Sequence, residues 1–231
     1  MNPPLLVFFV DKSGDPAVAA ALPRIVSALG VQLAEHVAPT WGRVVPMLQF
    51  GGAAPPGASQ IVILQDADEA DALGYHDETP EGVPYGRVFL RPILEAGGSL
   101  FGDAGALSVT LSHELLELVG DASANLWADG PAGYSYALEL CDAVEGDAYE
   151  IDGVFVSNFV FPGFFDPQGA KGVRLDYMRQ LTEPFGMTPG GYQIRRHSGG
   201  KVTNVWGERF PDSKRAAKAH KGKRRGVVAE G

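Results

Sequence analysis

The run Ser112-His113-Glu114-Leu115-Leu116-Glu117-Leu118-Val119-Gly120-Asp121 sets four ionisable side chains among apolar ones. On a helix, His113 and Glu117 stand at i and i+4 and share one face. Asp121 extends that row if the helix reaches it. An imidazole nitrogen and a carboxylate oxygen at this spacing form a ligand pair for a divalent cation. The apolar neighbours imply burial, and an ionised carboxylate buried without a partner costs several kcal/mol. No Lys or Arg stands between Arg91 and Lys171, while that stretch holds thirteen Asp and Glu. Local ion pairs therefore cannot neutralise the carboxylates, whereas a bound divalent cation would.

His113-Glu114-x-x-Glu117 on a buried helix resembles the His-Glu-x-x-His helix of the zincin metallopeptidases. Downstream, Tyr136-Ala137-Leu138-Glu139-Leu140-Cys141-Asp142 resembles the second motif of the gluzincin branch. In that branch a Glu about 20 residues past the first motif is the third ligand, and an Asp four residues further orients a ligand His. Here Glu139 lies 22 residues after Glu117, and Asp142 three after Glu139. The resemblance implies His113 as first ligand, Glu114 as general base and Glu139 as third ligand. Asp142 is then either a ligand or a residue that orients one. Glu117 stands where the family has its second His. One His with two carboxylates carries formal charge −2, which cancels the charge of zinc and lowers its Lewis acidity. Zinc is the expected metal, with Mn or Fe suiting the oxygen-rich ligand set. The metzincin helix shares the spacing as far as Gly120, but its third ligand would fall on Ser123, and no Met follows before Met178. The gluzincin branch fits better.

The implied activity is that of a metal-dependent hydrolase, specifically a peptidase, in which Glu114 takes the proton of a metal-held water. Tyr136 and His76 are both open as helpers of the oxyanion. The changed second ligand favours one alternative, a non-catalytic, zincin-derived protein stabilised by a cation. That protein would have a structural or binding role, for example in a phage-like or multi-protein assembly.

The elements that must position these residues are legible in outline. Leu5–Val10 reads as a buried strand, and Asp15-Pro16 as a helix start. A helix over 16–37 follows, bent near Pro23 or Gly30. Arg43–Phe50, Gln60–Leu64 and Gly86–Leu90 read as strands, the last as the sheet edge that would pair with an extended substrate. A short helical turn falls near 92–95. The site helix runs from about Asp103 to Val119, with Gly120 as its stop. Asp152-Gly153 and Ser198-Gly199-Gly200 each centre a hairpin. The expected fold is α+β and zincin-like: a small N-terminal mixed sheet, a backing helix, a central site helix, then a loop- and hairpin-rich C-terminal part. Gly and Pro together supply 47 of 231 residues, which favours long loops and short elements. One domain is expected over 1–210, with subdomains at about 1–120 and 121–210. A basic tail over 211–231, read as disordered, follows it.

Charge is divided unevenly. Residues 1–194 carry eight Lys and Arg against 25 Asp and Glu, and residues 195–231 carry eleven against three. An acidic body repels phosphates, so nucleic acid is not expected on the main domain, though the tail could dock to it. The expected partner is a peptide or protein substrate. Cys141 is the sole cysteine, which excludes an internal disulfide and suits core packing. No contiguous apolar run approaches 18 residues and no signal-peptide pattern opens the chain. A cytoplasmic location with no membrane partner is the expectation. His76 reads as a loop histidine near a cleft, His36 as a cation at a helix end, and Asn158–Phe165 as aromatic core.

Overall fold

A computed structural model describes residues 6–68, 72–168 and 172–209. Its strands in chain order are β1 (Leu6–Lys12), β2 (Met47–Gly51), β3 (Ser59–Leu64), β4 (Gly74–Glu78) and β5 (Pro84–Phe89). After these come β6 (Trp127–Asp129), β7 (Tyr134–Ala137), β8 (Ala148–Ile151), β9 (Val154–Ser157), β10 (Tyr192–His197) and β11 (Val202–Trp206). The helices are α1 (Pro16–Val31), α2 (Ala38–Trp41), α3 (Leu90–Glu95) and α4 (Leu107–Gly120). The architecture is mixed α+β. The expected tail over 211–231 lies outside the described residues.

The first sheet has the order β2-β1-β3-β5-β4, with four parallel strands and β4 antiparallel to β5. β3 alternates buried and half-exposed residues, as a sheet with one packed face must. Ile61 and Ile63 lie on that face and are fully buried. Paired residues point the same way, so register carries this face outward strand by strand. Ile61 pairs with Gly86 and Gly86 with His76; Ile63 pairs with Val88 and Val88 with Gly74. His76 and Gly74 therefore face the core side of the sheet.

That face is covered by α1 and α4. Asp15 caps α1 by accepting from the Ala17 amide, with Pro16 in the first turn, as the sequence predicts. The helix then widens into a π-helical segment, Gln32–Val37, before α2. Inside this segment the fully buried Gln32 joins three elements. It accepts from Ser112 Oγ of α4 and donates to the Ser157 carbonyl at the end of β9 and to the Tyr149 hydroxyl of β8. The whole run Pro16–Trp41 is long and apolar enough to cross a membrane by length and composition, although no contiguous apolar stretch made it so. Half of its most apolar window is buried in this fold, where Val18, Leu22, Ile25 and Leu29 join the main core.

α4 begins at Leu107, later than the expected Asp103. The Asp103 carboxylate instead accepts from the Ser99 and Gly105 amides and builds the loop before the helix. Gly120 is the last helical residue, and the Arg43 guanidinium donates to its carbonyl at the negative end of the helix dipole. The hairpin β8–β9 turns on Asp152 and Gly153, both at positive φ as a two-residue primed turn requires. A second sheet, β11-β10-β7-β6, is antiparallel throughout.

One strand assignment is corrected. Gly86–Leu90 does not form the edge: β5 lies inside the sheet, and β4, absent from the sequence reading, takes the edge beside it.

Candidate metal centre

Three chain segments converge on one buried cluster. α4 supplies His113, Glu114 and Glu117, and the turn after β7 supplies Glu139 and Asp142. β4 supplies His76. All six are between 0 and 6% exposed. The i, i+4 spacing brings His113 Nε2 to 2.9 Å from Glu117 Oε1. The same nitrogen lies 3.2 Å from Asp142 Oδ1. From the opposite side, His76 Nδ1 stands 3.3 Å from Glu117 Oε2 and 3.8 Å from Glu114 Oε2. The Glu117 carboxylate is thus flanked by an imidazole on each oxygen.

Two glycines allow these approaches. A Cβ on Gly74 would lie 2.9 Å from Glu114 Oε1 and 3.0 Å from the Arg87 carbonyl oxygen, so β4 could not lie this close to α4 with a larger residue there. A Cβ on Gly120 would lie 2.3 Å from Leu140 Cδ1. Leu140 packs onto the end of α4 at that point and carries Glu139 and Asp142, its sequence neighbours, toward His113 and Glu117. The Val160 amide donates to the Leu140 carbonyl and fixes this crossing.

The electrostatics follow from burial among like charges. Burial alone would lower the His76 pKa, but contact with Glu114 and Glu117 and the nearby charge of Glu139 outweigh it and raise the pKa to about 10. Without a cation, His76 is therefore an imidazolium held by carboxylates. At 3.3 and 3.8 Å its contacts are ion pairs rather than aligned hydrogen bonds. Neither of its ring nitrogens makes a hydrogen bond among the described residues. Burial also pushes the Cys141 thiol well up, and Glu117, Asp142 and Glu114 add to the effect. Cys141 is fully buried in the main core as a neutral thiol, not a nucleophile.

The donor set suits a divalent cation. Ligand atoms of His113, Glu114 and Glu117 lie within 4.8 Å of one another, as do those of His76, Glu117 and Glu139. Nitrogen and oxygen donors on three separate segments, all buried, are what a divalent ion would draw together. A recess of about 70 Å³, lined partly by Gly74, Gly105 and Thr110, opens onto His113 and Glu114. It has room for about two waters. A narrower recess between Tyr136, Phe164 and Tyr192 reaches Glu139 and Asp142.

The residues singled out from the sequence, His113, Glu114, Glu117, Glu139 and Asp142, are brought together. Asp121 serves the loop instead: its two oxygens accept from the Asn125 and Leu126 amides. His76 reads from the sequence as a loop histidine near a cleft and as an open helper of the oxyanion, not as a member of the ligand cluster. It is a strand residue on the core face, not a loop histidine. The signal available was a polar histidine two residues after Gly74, with no apolar residue on the face that both occupy. His36 sits in the last turn of the π-helical segment, stacked on Tyr177 at 4.5 Å and 2.9 Å from the Tyr149 hydroxyl. The chain matches no family model, no curated protein and no solved structure.

Proposed function

We propose that the protein is a metal-dependent hydrolase acting on peptide bonds. One observation carries this reading: three separate segments bury two imidazoles and four carboxylates in one cluster, with Glu114 beside the His113–Glu117 pair and Glu139 within 4.8 Å of His76 and Glu117. The layout also supports it. A mixed sheet, a backing helix, a His-Glu-x-x-Glu helix and a later Glu139/Asp142 turn follow the gluzincin-like order.

His113 and Glu117 would hold the metal, with Glu139 or Asp142 completing the set; zinc, Mn or Fe would suit it. When bound, the cation polarises water and the scissile carbonyl. Glu114 then acts as general base. It is 1% exposed, and Gly74 leaves room for its carboxylate at the recess. It accepts a proton from water as the new C–O bond forms and returns it to the amine as the C–N bond breaks. The edge of β4, which pairs with no further strand among the described residues, would offer backbone groups to an extended substrate.

Near-complete burial favours a second reading, in which the cation only stabilises the fold. Glu114→Gln separates the two. Under the catalytic reading it abolishes hydrolysis of an unstructured protein substrate while metal content and melting temperature stay near wild type. A wild-type protein that hydrolyses nothing with zinc, Mn, Co or Fe contradicts the catalytic reading.

A further inference from the structure

The position of Glu117 has a consequence beyond a single metal ion. Its two oxygens face different imidazoles, Oε1 at 2.9 Å from His113 on its own helix and Oε2 at 3.3 Å from His76 on β4. The two compact sets of ligand atoms, His113–Glu114–Glu117 and His76–Glu117–Glu139, share Glu117 alone. We propose that the cluster binds two divalent cations bridged by the Glu117 carboxylate, the second held by His76 and Glu139. The inference rests on the reading of this cluster as a metal centre.

Charge supports two ions. Glu114, Glu117, Glu139 and Asp142 carry four negative charges, all buried. One divalent ion at His113 and Glu117, with His76 as an imidazolium, still leaves one of them uncompensated in a low-dielectric interior, where an uncompensated charge is costly. Two divalent ions cancel all four. The bridge is also chemically ordinary, because a carboxylate spans two metal ions about 3.5–4 Å apart in two-metal hydrolytic sites. The His76 side chain is 1% exposed and its ring nitrogens make no hydrogen bond among the described residues. Its Nδ1 already faces the Glu117 and Glu114 carboxylates, so a cation seated there would exchange these ion pairs for a bond to a ring nitrogen and leave the carboxylates as fellow ligands. Finally, a second ion gives a structural reason for Glu where the resembled motif has His. Imidazole offers one lone pair toward one metal, whereas a carboxylate offers an oxygen to each of two.

The test uses the full chain, stripped of metal and dialysed against Mn²⁺. Manganese per chain is read by elemental analysis and spin coupling by electron paramagnetic resonance. Wild type is expected to hold two ions per chain with an exchange-coupled spectrum. His76→Ala and Glu139→Gln are expected to fall to one ion with an uncoupled spectrum. One uncoupled ion per wild-type chain overturns the second site and leaves the single-metal reading standing. No bound ion overturns both. The wild-type spectrum decides the matter alone if a variant fails to fold.

Discussion

Replacing Gly120 by Ala tests whether the end of α4 positions the candidate metal centre. In an ordinary helix interior this change stabilises by about 1 kcal/mol. Here the new Cβ would sit 2.3 Å from Leu140 Cδ1, with Leu140 Cδ2 and Cγ at 3.1 and 3.2 Å. The whole branched end of Leu140 must move, and Leu140 is 1% exposed, buried in the main core. Overpacking of this kind costs about 1–3 kcal/mol. The net expectation is a loss of up to about 2 kcal/mol, which is at most about 4–8 °C in Tm for a chain of this size. The displacement should also reach Glu139 and Asp142, because the Leu140 backbone is held by Val160 and cannot slide. Metal affinity should fall by about tenfold or more, as when residues supporting metal ligands are disturbed. Leu140→Ala alone should lose about 2–5 kcal/mol by opening a cavity. In the double variant the new methyl fills part of that space, so the combined loss is smaller than the sum. The assay is urea unfolding of the four proteins beside zinc titration of each. A Gly120→Ala variant more stable than wild type with unchanged zinc affinity, or strictly additive losses, would refute the reasoning.

Two further outcomes are expected. Gly74→Ala pushes a methyl toward Glu114 Oε1 and the Arg87 carbonyl, so kcat should fall by about 100-fold for a displacement near 1 Å, with far-ultraviolet circular dichroism unchanged. Unchanged kcat would show that Glu114 has no fixed position to lose. His36 has its pKa lowered by burial, with Arg174 adding to the effect and Glu35 opposing it. A lowered histidine pKa means the unfolded chain binds the proton first, so stability should fall as pH drops below about 6.5. Unfolding midpoints at pH 7.5 and 5.5 should show a smaller difference in His36→Gln than in wild type, and an equal difference would exclude His36 as its source.

The site helix was legible because ionisable side chains at i and i+4 stand out in an otherwise apolar run that reads as buried, where carboxylates need partners. The Asp152-Gly153 hairpin and the Asp15-Pro16 helix start were legible because each depends on local backbone chemistry alone. β4 was not. Its core face carries Gly74 and His76 where a strand normally shows apolar residues, since that face meets the carboxylates of α4 rather than a greasy core. With β4 hidden, β5 was misplaced at the edge and His76 was left in a loop. β6 and β7, of three and four residues, are too short for alternation to register, and pairing with the distant β10 defines their sheet. The π-helical segment has no local signature. Its Gln32 matters through Ser112 and Ser157, which only the fold brings near.

Metal content tests the central claim most directly. Wild-type protein and His113→Ala, each dialysed against zinc or Mn²⁺ and then metal-free buffer, are compared by elemental analysis. The account predicts at least one retained ion per wild-type chain and a loss of about tenfold or more in the variant. Equal and substoichiometric metal in both proteins would contradict it.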